Sequence, residues 1–382
     1  MLVAPPLSVY VHLPWCLAKC PYCDFNSHVA PAVLPQSQYI DCLLADLDFD
    51  LPVVAGRTVQ SVFFGGGTPS LFAPESIDHF LRGLRARLPL SDEVEITLEA
   101  NPGALEHGRF EGYRDAGVNR ISLGVQSFHD RHLKKLGRIH DAGQARQAVS
   151  DLNAAGLRNF NLDLMYGLPD QSLDEAIEDL KQAIALQPAH LSHYQLTLEP
   201  GTVFYHRPPA LPVDDALWDM QSACQTLLAA HGYEQYEVSA YARRDRQCRH
   251  NLNYWEFGDY LGLGAGAHGK WTDADAGEIV RSERRKQPRD YLAAGVAERS
   301  VRRAVPRKEL PFEFALNVLR LQRGFDREQF ESRTGLSITA IAKQITQAEQ
   351  RALLVRAEEC WSPSELGRRF LNDLQALFLS EA

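Results

Sequence analysis

Short, nearly continuous apolar runs occupy residues 7–13, 59–64, 94–98, 120–125, 160–165 and 190–198. Longer stretches lie between them, at 37–50, 74–88, 105–116, 141–155 and 172–186, where apolar residues recur every three or four positions. A run that is apolar on both alternating faces reads as a strand covered on both sides, and the longer period reads as an amphipathic helix. Gly117 and Gly156 stand where helix C-caps are expected. Strand followed by helix, repeated along the chain, predicts a parallel sheet with helical crossovers. A complete (β/α)8 barrel takes about 250 residues. Six units within the first 200 residues therefore predict an open, partial (β/α)6 barrel, with its functional residues at the carboxyl ends of the strands.

The pattern changes after residue 200. Residues 200–212 are Pro-rich, and a helix at 214–231 and a strand at 233–242 follow. Residues 281–307 carry nine Arg and Lys against Glu283, Asp290 and Glu298, and read as a basic connector. The remainder predicts helices at 312–321, 327–334 and 338–350, a hairpin around 353–361 and a last helix at 364–379. That order is winged-helix-like. The domain reading is 1–200 for the barrel, 201–305 for an extension and connector, and 306–382 for a small α-rich C-terminal domain.

Composition narrows the function classes. At 382 residues and 45% apolar content, the chain is long enough for a large domain and a smaller partner. A net charge of −9 and a C-terminal segment with eleven basic and eleven acidic residues argue against nucleic acid as a partner. No apolar run approaches the roughly 20 residues needed to cross a bilayer. Residues 1–14 have no basic residue and do not read as a secretory signal, so a cytoplasmic location is expected.

Of the seven cysteines, Cys16, Cys20 and Cys23 crowd behind the first strand while Cys42, Cys224, Cys248 and Cys360 are scattered. This is no disulfide framework and fits a reducing compartment with one metal or redox site. Three thiolates on one loop can hold a [4Fe–4S] cluster and leave one iron without a protein ligand, open for a cosubstrate. Two other readings stay open on spacing alone. Cys20-Pro-Tyr-Cys23 is a dithiol redox pair, and zinc is possible with His12 or His28 as a fourth ligand.

Cys-x3-Cys-x2-Cys with an aromatic at Tyr22 resembles the radical S-adenosylmethionine (SAM) superfamily. The segments Tyr10-Val-His-Leu-Pro14, Gly65-Gly-Gly-Thr-Pro69, Glu99-Ala-Asn-Pro102, Gly124-Val-Gln-Ser127 and Asp163-Leu-Met-Tyr-Gly-Leu-Pro169 are similar to the coproporphyrinogen dehydrogenase (HemN-like) family, as is the C-terminal domain. The resemblance implies that Cys16, Cys20 and Cys23 hold the cluster. It implies that Gly66, Gly67, Thr68, Glu99 and Arg138 meet the methionine end of SAM, and Gln126 and Asp163 its ribose. Tyr10 and Tyr22 would stand near the cluster, and Thr197 would sit at the end of the sixth strand. Asp163 falls among apolar neighbours, where a carboxylate needs a partner. Gly262-x-Gly264-x-Gly266 mimics a dinucleotide fingerprint without the βαβ context that would support one.

Phe25 takes the place of a further cysteine in the family's porphyrinogen-oxidising members, and Cys16 comes early compared with their longer leading segment. His250-Asn-Leu-Asn-Tyr254-Trp255 matches the His-Asn-x-x-Tyr-Trp motif of the family's heme chaperones. Imidazole is a heme ligand and Tyr254 and Trp255 offer flat apolar surface. Arg243, Arg244, Arg246 and Arg249 could pair with propionates or be a solvated loop. The resemblance thus implies a heme chaperone carrying a [4Fe–4S] cluster and SAM, delivering heme to apo-hemoproteins, including transient contacts with membrane-bound ones, and compatible with a homodimer. It names no catalytic residue. The alternatives are an oxygen-independent coproporphyrinogen III dehydrogenase and an iron–sulfur-dependent regulatory or DNA-binding protein.

Overall fold

The computed structural model describes residues 1–54, 56–103 and 108–379. The six expected strands are β1 (Leu7–Leu13), β2 (Val59–Gly66), β3 (Leu90–Ala100), β4 (Arg120–Gln126), β5 (Phe160–Tyr166) and β6 (His190–Gln195). They pair as parallel neighbours in that order. No residue of β1, β4 or β5 is exposed, which is why these segments read as unbroken apolar runs. Helices Gln36–Val54, Pro74–Arg85, Phe110–Ala116, Ala142–Ala154 and Leu173–Ala185 form the crossovers. The start of the expected helix 105–116 lies outside the described residues. Asp141 with Gln144 and Ser172 with Glu175 form capping boxes that fix two helix starts. Gly117 ends Phe110–Ala116 at φ 109°, the expected left-handed C-cap.

The sheet is larger than six strands. It adds β7 (Glu234–Gln235), β8 (Ala240–Ala242), β9 (Asp259–Leu263), β10 (His268–Asp273), β11 (Glu278–Arg284) and β12 (Ser300–Ala304). The order is β12-β11-β10-β9-β1-β2-β3-β4-β5-β6-β8-β7, an open mixed sheet that crosses residue 200. β9 joins β1 in parallel, and β10 to β12 continue antiparallel. The expected strand 233–242 is two short strands on the opposite edge.

The basic segment 281–307 is not a connector. It supplies most of β11, all of β12 and the helix Pro288–Ala293. Three of its arginines turn inward onto Asp46 and Asp50 of the helix Gln36–Val54. Arg284 meets Asp50 at 2.6 Å, Arg302 meets Asp50 at 2.6 Å, and Arg299 meets Asp46 at 3.4 Å. Buried charges persist only when paired. Arg284 and Asp50 are 234 positions apart, so no local pattern reveals the pairing.

The C-terminal module has the expected winged-helix-like order. Helices Leu310–Val318, Arg327–Thr334 and Ala342–Gln350 precede the hairpin Leu354–Ala357/Cys360–Pro363, with Phe325–Asp326 as a third strand. The expected last helix is two, Glu365–Arg369 and Leu371–Ala376, separated at Phe370. Its core of Phe314, Phe325, Phe330 and Trp361 also takes in Phe257 and Ile279 from the sheet region. Ion pairs Arg281–Glu313 and Arg323–Glu256, with Arg320–Glu237 at 2.9 Å, tie the two parts together. Among the described residues, no helix is long and apolar enough to cross a membrane.

Candidate cluster and cosubstrate site

Pro14 ends β1, and the chain then loops over the carboxyl edge of the sheet. Trp15–Cys16 pairs with His28–Val29 and closes the loop. Within it, Cys23 N donates to Cys20 O at 3.2 Å. All three thiols line one cavity of about 350 Å³. Burial raises the thiol pKa of Cys16 and Cys23, so they are held as thiols until a metal replaces the proton. Among the described residues, no three His, Cys, Asp or Glu side chains converge as a single ion requires. His12 and His28 are engaged elsewhere. His12 Nε2 donates to Asn26 O at 2.9 Å, and His28 Nε2 lies 3.2 Å from Asn26 Oδ1. Neither completes a zinc site. Cys42 accepts from Arg299 Nη2 at 3.2 Å, Cys224 and Cys248 are buried, and Cys360 is in the C-terminal hairpin.

The ends of β2 to β5 build the rest of the cavity wall. Gly66 has φ 116°, and a Cβ there would lie 2.6 Å from the His12 ring. A Cβ at Gly67 would lie 2.5 Å from Trp15 O. These glycines are required by the protein's own close packing, in addition to any ligand approach. Thr68 Oγ1 accepts from Asn101 Nδ2 at 2.9 Å. Arg138 is no solvated helix end. It donates to Asn101 Oδ1 at 2.6 Å and Gly124 O at 2.8 Å, and its Nη1 lies 3.7 Å from Cys20 Sγ. Gln126 leaves β4 at φ 68°, a strained value for a residue with a side chain, and such strain collects at functional sites.

Two carboxyls face the cavity. Glu99 accepts from Gly66 N at 3.2 Å. Burial, and then the charge of Asp163, push its pKa up to about 8. Asp163 accepts from Ser122 Oγ at 3.0 Å and Asn161 Nδ2 at 2.9 Å, and burial raises it too. The buried Arg120 supplies the nearby balancing charge. Paired carboxyls under a desolvated cavity favour a cationic ligand. Cys16, Cys20, Tyr22, Cys23, Gly66, Gly67, Thr68, Glu99, Gln126, Arg138, Asp163 and Thr197 all line this one cavity. Thr197 lies beyond the end of β6, hydrogen-bonded to Glu199 at 2.8 Å. Phe25 stands at the rim, 61% exposed. Asn101, Ser122, Asn161 and Tyr194 were not singled out from sequence. The available signal was polar residues at alternate positions of apolar strands, as in Arg120-Ile-Ser122 and Asn161-Leu-Asp163.

Tyr10 and the His-Asn-x-x-Tyr-Trp motif lie elsewhere. Tyr10, His250 and Tyr254 line a smaller inner cavity of about 160 Å³, which shares Glu99, Ser122, Asp163 and Tyr194 with the first. Tyr10 OH bonds to His12 Nδ1 at 2.9 Å, and His12 in turn meets the cysteine loop at Asn26 O. The motif helix, Arg249–Trp255, packs at the amino ends of the strands, opposite the cysteines. His250 bonds to Ser61 Oγ through Nδ1 and to Tyr254 OH through Nε2, both at 3.0 Å. It is 1% exposed, and burial pushes its pKa down to about 3. The expected axial imidazole is therefore not available in this conformation, because both ring nitrogens are occupied within the core. Trp255 is not beside His250 in that cavity but under the Arg320 guanidinium, 4.2 Å from its ring centre. Arg249 pairs with Glu93, Arg243 covers the Tyr233 ring and Arg244 pairs with Asp245. These are local contacts of a loop at the far end of the sheet.

Comparison with known proteins identifies the family. Residues 10–183 match the model of the Radical SAM superfamily, and residues 305–370 match the HemN C-terminal domain. The chain is 51% identical over 381 residues to the heme chaperone HemW of Escherichia coli (strain K12), covering 100% of both. It is 50% identical to that of Haemophilus influenzae, covering 99% of both. The coproporphyrinogen III oxidase HemN of Escherichia coli shares the fold, with a TM-score of 0.81, 24% identity and 98% of this chain and 90% of that one covered. On its end-to-end identity with these relatives, the chain belongs to the HemW family of the radical SAM superfamily.

Proposed function

We propose that this protein is a heme chaperone, which binds heme and transfers it to apo-hemoproteins. The observation that carries the reading is 51% identity, without gaps in coverage, to a protein named for that role. Membership of the radical SAM superfamily brings a [4Fe–4S] cluster and SAM. In the proposal, Cys16, Cys20 and Cys23 hold the cluster. Gly66, Gly67, Thr68, Glu99 and Arg138 receive the methionine end of SAM, and Gln126 and Asp163 its ribose. Their common cavity supports this division. The cluster supplies an open iron for the SAM amino and carboxylate groups. This chain's residues supply orientation: Arg138 fixes a carboxylate, and Asn101 fixes Arg138 and Thr68 together.

Heme ligation by His250 would require breaking one of its two buried hydrogen bonds, at about 1–3 kcal/mol for the partner left unpaired, and bringing a 1% exposed ring out of the core. The geometry supports a packing role for the motif instead. The C-terminal module, with Leu316, Leu366 and Phe370 exposed and no evident catalytic group, is the proposed docking surface for the recipient. Phe25, where the porphyrinogen-oxidising members carry a cysteine, supports chaperone over dehydrogenase. The test uses full-length, cluster-loaded protein under anaerobic conditions. Hemin titration should give a saturable Soret band, and an apo-hemoprotein should then acquire the heme. Coproporphyrinogen III with SAM and reductant should be left unchanged, and steady decarboxylation would establish the dehydrogenase instead. An unaltered Soret band in His250→Ala separates packing from ligation.

A further inference from the structure

Two sequence features play no part in the function above: Asn26, three residues past the last cysteine of the loop, and Gly262-x-Gly264-x-Gly266. We propose that Asn26 and the turn at Gly264–Ala267 form a clasp that positions the cysteine loop, so that the sheet extension from β9 onward sets the stability and electronic environment of the cluster. The inference rests on the reading that Cys16, Cys20 and Cys23 hold that cluster.

The contacts run in both directions. Asn26 Nδ2 donates to Ala265 O at 3.0 Å and to Lys286 O at 2.9 Å. Its two amide hydrogens are thus spent on two carbonyls of the extension, which fixes the amide's orientation. The main-chain oxygen of Asn26 accepts from His12 Nε2 at 2.9 Å. Facing a carbonyl, Nε2 must carry the proton, so Nδ1 accepts from Tyr10 OH. The His12 ring also fills the space under Gly66. One imidazole therefore joins the cysteine loop, the glycine turn after β2 and the barrel wall.

The turn is shaped to receive Asn26. Gly264 and Gly266 have φ of 99° and 79°, and a Cβ on Gly266 would lie 2.2 Å from Asn26 Nδ2. A Cβ on Gly264 would lie 2.5 Å from His12 O. The turn is braced from behind: Ala265 N donates to Tyr39 OH, and Tyr39 OH donates to His12 O, both at 2.8 Å. Gly266 N donates to Arg285 O at 2.8 Å. The turn joins β9 to β10 and opens no helix, so it offers none of the helix N-terminus that a dinucleotide phosphate uses. Its glycines serve a side chain of the protein's own loop.

Asn26→Ala and Gly266→Ala test the clasp, with Gly277→Ala as control. Gly277 has φ 70° in the same extension, but a Cβ there meets nothing within 4 Å. It shares the backbone strain without the collision. In metal-free full-length protein, amide exchange across residues 16–28 should accelerate at least tenfold in the first two variants and stay at the wild-type rate in the third. In cluster-loaded protein, the first two should lose iron to a chelator at least tenfold faster and show altered g-values of the reduced cluster. Wild-type exchange in Asn26→Ala overturns the clasp, as does equal acceleration by Gly277→Ala. Accelerated exchange with unchanged iron retention and g-values overturns the positioning role. If the wild type assembles no cluster, the cluster assignment fails, while the metal-free exchange still decides the clasp.

Discussion

Replacing Glu99 by Gln tests the electrostatics of the cavity directly. The Glu99 carboxyl sits in a wall whose burial, with the charge of Asp163, lifts its pKa from 4.5 to about 8. The folded state then holds a proton that the unfolded state has released, so stability falls as pH rises through this window. Each pH unit in it costs about 1.4 kcal/mol. At pH 7.5 that is about 4 kcal/mol as an upper bound, and local relaxation around a carboxyl that lines a cavity leaves roughly half, about 2 kcal/mol. Gln keeps the shape and cannot ionise. Metal-free Glu99→Gln should therefore be more stable than wild type at pH 7.5 by about 2 kcal/mol, a gain that shrinks to nothing near pH 4.5. Denaturant unfolding of both proteins at several pH values measures the difference, and the other titrating groups cancel in it. SAM binding should move the other way. Losing a charge-assisted contact to the ammonium costs about 1.5–3 kcal/mol, or about 10- to 150-fold in affinity. Parallel stability curves for the two proteins between pH 5 and 8 would refute the argument, because they would mean that Glu99 ionises in the fold as it does in water.

Cys16→Ala, Cys20→Ala and Cys23→Ala should each abolish the cubane signal in anaerobically reconstituted protein, whereas changing Cys42, Cys224, Cys248 or Cys360 should preserve about four irons per chain; assembly of a normal cluster in the triple variant would defeat the assignment. Arg138→Ala should weaken SAM binding by about 1.5–3 kcal/mol in equilibrium dialysis. SAM should also bind more weakly to metal-free than to cluster-loaded protein, and equal affinities would count against an open iron as its anchor.

Much of this architecture is legible in the sequence because it is local. Leu7–Leu13 is buried at every position but the half-buried Tyr10, and its apolar run is the strand from end to end. The capping boxes at Asp141 and Ser172 announce their helices. Most of the cavity's residues are legible in a different way, since they lie in or just after a strand and the parallel sheet gathers strand ends on one side, whereas Arg138 arrives from beyond the helix Asp130–Lys135. What stays hidden is pairing over long distances. Arg284 and Arg299 look like solvated charges until Asp46 and Asp50 are folded against them. Gly266 looks like a phosphate turn until Asn26 fills it. His250 has the chemistry of a heme ligand, but Ser61, 189 positions earlier, takes one nitrogen and Tyr254 takes the other.

The two ends of the barrel carry opposite electrostatic loads. At the cysteine end, burial raises Glu99 and Asp163. Along the strands' inner faces and at the amino end, burial lowers His190, His193 and His250, the last two to about 3. Each histidine is neutral in the fold and takes up a proton on unfolding below its ordinary value of 6.5, so its contribution is lost as pH falls from there. The carboxyl contribution is lost as pH rises from 4.5 to about 8. The two slopes oppose each other between about 4.5 and 6.5 and partly cancel in wild-type protein. Above 6.5 the histidine slope ends and the carboxyl slope remains alone, so the cost of an unfilled cavity keeps rising to about pH 8. A cationic ligand that pairs with Glu99 removes that cost. The same wall that selects a cationic cosubstrate thereby couples its binding to the stability of the barrel.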